Sequence, residues 1–178
     1  QLLTGYFAFD RPFAWPYQAM YALFGLNSLA WHVATYLLRW GGVLLLHYAL
    51  LQAWPRQRHY LRWFGVLLLV YPGYLQQSIS GAYNRHFTAF IVYAASMYLM
   101  VLSTRKGRFA WMLALTSWLA TLIHVFTIEY FVGLELARPA LLWLLISGRE
   151  DQRQGQIFKR VGLAALPYLL IAAFYLWW

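Results

Sequence analysis

"LAWHVATYLLRWGGVLLLHYALLQA", residues 29–53, runs directly into "WPRQRHYLR", residues 54–62, and this junction decides the fold. A bilayer-spanning helix needs about 20 mostly apolar residues. The first stretch provides them, with Arg39 as its single charge. The second stretch then places Arg56, Arg58 and Arg62 in a short connection. Positive residues in short loops mark the cytoplasmic side of a membrane protein.

Composition agrees with that junction. The chain has 178 residues, of which 62% are hydrophobic and 11% charged, against roughly 25% charged in soluble domains. Ten Trp and fourteen Tyr suit the two membrane interfaces, where one end of a side chain is apolar and the other wet. The expected fold is all-α: a polytopic transmembrane bundle of five to six spans with one short interfacial or re-entrant helix. There is no cysteine, so disulfides and thiolate metal sites are excluded. The chain opens on Gln1 and stops at Trp178 inside an apolar run, and we expect a fragment of a longer protein.

Outward from residues 29–53, further spans are predicted over Trp63 to about Ser78 (bent near Pro72), Phe87–Leu102, Phe109 to about Phe126, about Tyr130–Ile146, and Val161 to the end. Three loops, 55–62, 104–108 and 147–160, then fall on one side in strict alternation. They hold ten of the fourteen Lys and Arg, namely Arg56, Arg58, Arg62, Arg105, Lys106, Arg108, Arg149, Arg153, Lys159 and Arg160. The net charge of +9 is therefore a topology signal. Nucleic-acid binding would want such charges interleaved with stacking aromatics on a soluble face, and it is excluded as a function class.

The opposite, non-cytoplasmic side receives residues 1–28, "ISGAYNRHF" (79–87) and "IHVFTIEYF" (123–131). Two regions follow: an outer-face juxtamembrane segment, 1–28, and the bundle, 29–178. Within the first, Pro16 suits the first turn of a helix, Gly25 suits its stop, and Asn27-Ser28 can cap the first full span. A helix between Pro16 and Gly25 is roughly 14 Å long, half a bilayer, so it lies in or dips into the outer interface. That sets Asp10-Arg11-Pro12 at the outer headgroup level. Arg11 can meet phosphate oxygens through several fixed donors; Asp10 can orient it or act on a substrate hydroxyl. Equally, Asp10 can stabilise the start of the short helix while Arg11 contacts membrane lipid headgroups.

The string "DRPFAWPYQAMYALFGLNSLAWHVATYLL", residues 10–38, resembles the segment of GT-C superfamily glycosyltransferases that reads acid, Lys/Arg, Pro, aromatics, then "LFG-N" and a membrane helix. "EYFVGLELARP" (129–139) also looks like a stretch of bacterial relatives. The superfamily includes protein O-mannosyltransferase-like and aminoarabinose-transferase-like enzymes. The resemblance implies a polyprenyl-phosphate-linked sugar as donor, an active site on the non-cytoplasmic face, and Arg11 as a phosphate contact. It places the family's principal catalytic acid upstream of Gln1. No resident cofactor is expected, although some members of the family use a divalent cation.

Glycosyl transfer from a lipid phosphate needs a carboxylate at the acceptor, cations at the departing phosphate and a dry cavity. The outer-face carboxylates are Asp10 and Glu129, the candidate catalytic groups. Arg11, Arg85 and His86 are the candidate phosphate contacts; Tyr83 and Tyr130 are candidates for a sugar or lipid pocket. For Arg85 and His86 the alternatives are snorkelling to headgroups and capping of the third span. His124, near a span end, reads as a hydrogen-bonded interfacial histidine. The five histidines share no close metal-ligand spacing, so no metal site is expected.

Inside the spans, charge costs about 2.5–3.5 kcal/mol on insertion scales. Glu135 and Arg138 are three apart, on one helix face, and are expected to form a structural pair. Pro139 should disturb the preceding turn and free a carbonyl for Arg138. Arg39 either reaches Glu135 or lines a cavity. The competing function is a non-catalytic integral subunit of a larger respiratory or photosynthetic complex. The expected location is a bacterial inner membrane.

Overall fold

The computed structural model describes residues 15–71, 80–105, 107–148 and 154–178. The described residues hold helices and turns and no strand. In chain order the helices are α1 Trp15–Phe24, α2 Ser28–Ala53, α3 Arg58–Leu69, α4 Ser80–Ser103, α5 Ala110–Thr127, α6 Ala137–Ser147 and α7 Gln154–Trp177. A short 3-10 turn, Pro55–Gln57, precedes α3, and a longer 3-10 segment, Glu129–Leu136, leads into α6. Five stretches are long and apolar enough to cross a membrane: α2, Tyr83–Ser103 of α4, α5, Glu129–Ser147 and α7. The chain is an all-α integral membrane bundle.

The corner between α1 and α2 follows from local chemistry. Gly25 takes φ +52, a left-handed value that glycine adopts without a Cβ clash, and ends α1. The Asn27 side chain accepts from the Ala30 N–H at 3.1 Å, capping α2. Trp31 Nε1 donates to the Gly25 carbonyl at 3.0 Å, and its ring meets Phe24 edge-on at 5.7 Å. Asn27→Ala is expected to cost about 1 kcal/mol, read as a lower midpoint for thermal unfolding in detergent.

Contacts along the helices give their directions. Thr35 meets Asn84, and Gly42 meets Phe90 and Ile91. At their far ends Arg105 donates to the Gln52 side chain. Residue numbers rise together, so α2 and α4 are parallel, and the chain must return across the bundle between Ala53 and Ser80. Helix α3 makes the first part of that return, antiparallel to α2, with Gly65 against His47 and Leu69 level with Arg39. By itself α3 has 12 residues, too few to span; the remainder of the predicted second span, from Pro72 onward, lies outside the described residues. Helix α5 runs antiparallel to α4, and α7 parallel to α5, since Ser117 meets Tyr168 while Phe126 meets Phe174 and Trp178.

These directions gather the three basic connections at one end of the bundle. Asn27, Tyr83, Tyr130 and Trp178 lie at the other. Three predicted boundaries move. Helix α4 begins at Ser80, so "ISGAYNRHF" is largely the first turns of a helix. The reason is tertiary: Asn84 is fully buried and donates to Thr35 Oγ1 at 3.0 Å, so it needs no water. Helix α7 starts at Gln154, because Ile157 is buried and Phe158 packs edge-on against Trp143 at 4.9 Å. The predicted fifth span is split into a 3-10 segment and a short α-helix.

With lipid outside, apolar burial does not drive helices together; close packing and hydrogen bonds do. Gly41 and Gly42 let α2 approach α4. Between α4 and α5, the Ser96 and Ser117 hydroxyls each donate to the other's carbonyl at 2.8 Å.

Candidate functional site

The bundle encloses a cluster of charge. Arg138, at the second position of α6, donates from Nε to Glu135 Oε2 at 2.5 Å and from Nη2 to Oε1 at 3.0 Å. This bidentate fork is the strongest arrangement available to a guanidinium and a carboxylate. Both side chains are 0% exposed, as is His124. His124 Nε2 stands 3.0 Å from Glu135 Oε1, at ion-pair distance but off the line of a full hydrogen bond. Its Nδ1 is 3.1 Å from the Ala120 carbonyl.

Aromatic rings and sulfur complete the enclosure. The Arg138 guanidinium carbon lies 4.5 Å from the Tyr168 ring centroid and 5.5 Å from that of Tyr93. Such faces stabilise a desolvated cation. Nη1 approaches Met100 Sδ at 3.8 Å. Ser117 Oγ commits its proton to Ser96, so the Tyr168 hydroxyl, 2.8 Å away, is the donor to Ser117. Four helices and the 3-10 segment thus converge on one ion pair.

Glu135 and Arg138 therefore pair across a junction. Glu135 is the penultimate residue of the 3-10 segment, while Arg138 is the second residue of α6. Pro139 sits in the first turn of α6, where a missing N–H costs nothing. It disturbs no preceding turn, and Arg138 spends two N–H groups on Glu135. Arg39 does not reach Glu135. It donates from Nη2 to the Leu69 carbonyl, one of the unpaired C-terminal carbonyls of α3, and lies 5.5 Å from the Tyr36 ring centroid. His124 is not interfacial: it is enclosed between Tyr93, Phe131 and Glu135. Its stripe could have been found, since Ser117, Thr121 and His124 are four and three apart on one face of α5. Nothing in the sequence singles out Tyr93 or Tyr168.

At the end of the bundle away from the basic loops, α4 and the 3-10 segment bring together three more predicted residues. His86 stacks on Tyr130 at 5.4 Å and 18°, and the Tyr83 ring lies tilted against it at 5.0 Å and 35°. His86 is inside α4 and caps no span. Tyr130 is 69% exposed and its neighbour Glu129 is also exposed. Arg85, on the same turn, is half-buried, and its Nε is buried without a hydrogen-bond partner among the described residues. Asp10 and Arg11 lie outside the described residues. No group of three or more His, Cys, Asp or Glu able to hold a metal occurs among the described residues.

Fold and site define the class: a polytopic α-helical membrane protein whose bundle encloses an ion pair and whose one end presents an aromatic stack. Comparison with protein-family models, with curated proteins and with solved structures gives no match.

Proposed function

We propose that the chain is part of a GT-C-type membrane glycosyltransferase of a bacterial inner membrane. It would transfer a sugar from a polyprenyl-phosphate donor at the end of the bundle opposite the basic loops. One observation carries this reading: Tyr83 and His86 share a helical turn of α4 with Arg85, and Tyr130, stacked on His86, is the sequence neighbour of Glu129. Aromatic faces suit the apolar faces of a sugar or a prenyl chain, and a guanidinium suits phosphate. Glu129 is the carboxylate placed to position or deprotonate an acceptor hydroxyl; Asp10 and Arg11 would join from the preceding segment. The buried pair has a supporting part. Glu135 belongs to the 3-10 segment that carries Glu129 and Tyr130, so its bond to Arg138 fixes that segment against α4 and α7.

The test measures transfer from a polyprenyl-phosphate-linked sugar in membranes containing the full-length protein. Arg11→Ala and Arg85→Ala are each expected to lower turnover about a hundredfold, the scale of losing one charge-stabilising group, and Tyr130→Ala about tenfold, the scale of losing one aromatic contact. Unchanged turnover at normal protein levels in all three would sink the proposal. It would favour the competing role, a non-catalytic integral subunit of a larger complex.

A further inference from the structure

Helix α3 has no buried residue, and among the described helices it packs chiefly on α2. The two helices leave a groove of about 270 Å³ between them, lined by Trp40, Leu44 and His47 on α2 and by Arg62, Val66 and Leu69 on α3. These positions recur at helical spacing on both sides, so each helix gives one face to the groove. The walls are apolar along most of their length, and polarity collects at one end. Leu69, level with Arg39, marks the inner end. Arg62 lies roughly 10 Å nearer the basic connections, at 1.5 Å per residue, and Arg58 stands one turn further along the same face. Both arginines are exposed, and neither has a hydrogen bond or ion pair among the described residues.

Every polar side chain that lines the groove is a donor. The Arg62 guanidinium and the Trp40 indole have no acceptor atom. A Cβ at Gly65 would lie 2.9 Å from His47 Nδ1, so this nitrogen is pressed against the α3 backbone. It is buried with no hydrogen-bond partner among the described residues. An unmatched N–H there costs more than an unmatched lone pair, which puts the imidazole proton on Nε2. Among the described residues no carboxylate lines the groove. The ligand that fits is a long apolar chain with an anionic, acceptor-rich group at the Arg62 end.

We propose that the α2–α3 groove seats one acyl chain of an anionic glycerophospholipid, with its phosphate on Arg62 and Arg58. Basic residues beside membrane helices attract anionic lipid heads in general; the groove adds a fixed place for the chain. The seated chain gives α3, which is too short to span, a second apolar partner beside α2. The site does not rest on the transfer reaction proposed above.

Native mass spectrometry of the delipidated full-length protein, titrated with phosphatidylglycerol or phosphatidylcholine, tests this. One phosphatidylglycerol is expected to be retained at least tenfold more tightly than phosphatidylcholine. Arg62→Gln and Arg58→Gln should each lower that preference about fivefold, the scale of one basic residue at an anionic lipid surface, and the double variant should abolish it. Val66→Trp, at an exposed position of the groove wall, fills the groove without touching charge and should also release the phosphatidylglycerol. Arg108→Gln, at the turn between α4 and α5, should leave retention intact. A phosphatidylglycerol carrying a mid-chain diazirine should crosslink to residues 40–47 or 62–69. Equal retention of the two lipids, full retention in the Val66 variant, an equal loss in Arg108→Gln, or crosslinks spread evenly over the lipid-facing helices would overturn the site. Displacement of the lipid by millimolar glycerol 3-phosphate would also overturn it, by showing a head-only site with no role for the chain.

Discussion

Glu135→Ala is expected to destabilise the bundle by about 3–5 kcal/mol, the cost of leaving one partner of a buried ion pair uncompensated. Arg138 is 0% exposed and is held by Glu135 through two bonds. With the carboxylate gone, the guanidinium keeps, among the described residues, Met100 Sδ and the Tyr93 and Tyr168 rings. His124 loses its ionic neighbour as well. Glu135→Gln should fall between, because an amide can accept from Arg138 but carries no charge. The double variant Glu135→Leu/Arg138→Met should recover most of the loss, since replacing a whole buried pair by apolar groups is often neutral. Unfolding midpoints in bicelles, followed by helical circular dichroism, give the three values. A single variant as stable as the parent would show that the pair contributes nothing to folding. The proposed transfer activity, measured in the recovered double variant, then separates fastening from chemistry: retained turnover would assign the pair to positioning the 3-10 segment alone.

Gly42→Leu is expected to cost about 3 kcal/mol or more, at or beyond the upper end of ordinary overpacking. A Cβ at Gly42 would lie 2.6 Å from Phe90 Cδ1 and 3.3 Å from Ile91 Cα. The second of these is backbone, so a rotamer change cannot relieve it and α2 must move away from α4. That separation would also stretch the Thr35–Asn84 bond, whose loss leaves a buried amide unpaired. Gly41 provides the control. Its added Cβ would meet Ile91 Cδ1 at 2.8 Å, the tip of a flexible side chain. Gly41→Ala should therefore be mild and Gly42→Ala distinctly worse, measured by the same unfolding assay. Equal effects at the two positions would remove the close α2–α4 approach as a stabilising feature.

The candidates at the end away from the basic loops were legible as residue types in polar stretches, and the structure brings the Tyr83, His86 and Tyr130 rings into one cluster. Their placement on a helix was not legible. "ISGAYNRHF" is polar enough to read as a loop, and Asn84 becomes helical only because Thr35, far away in sequence, satisfies it. Arg39 shows the same limit. Its cost inside a span was evident, but its partner, the Leu69 carbonyl, exists only where α3 ends against α2.

By itself the sequence determined that the chain is helical and membrane-spanning, and that its basic connections share one end. It also set the corner at Gly25 and Asn27. Those properties depend on local composition, on charge counted over short loops and on backbone preferences of single residues. Tertiary structure alone decided where α4 and α7 begin, which cations meet which acceptors, and that His124 joins Glu135 and Arg138 in the interior. The reason is physical. In lipid an apolar helix surface has little preference between neighbours, so register is chosen by close approach at small residues and by paired polar groups, and those pairs come from segments distant in the chain.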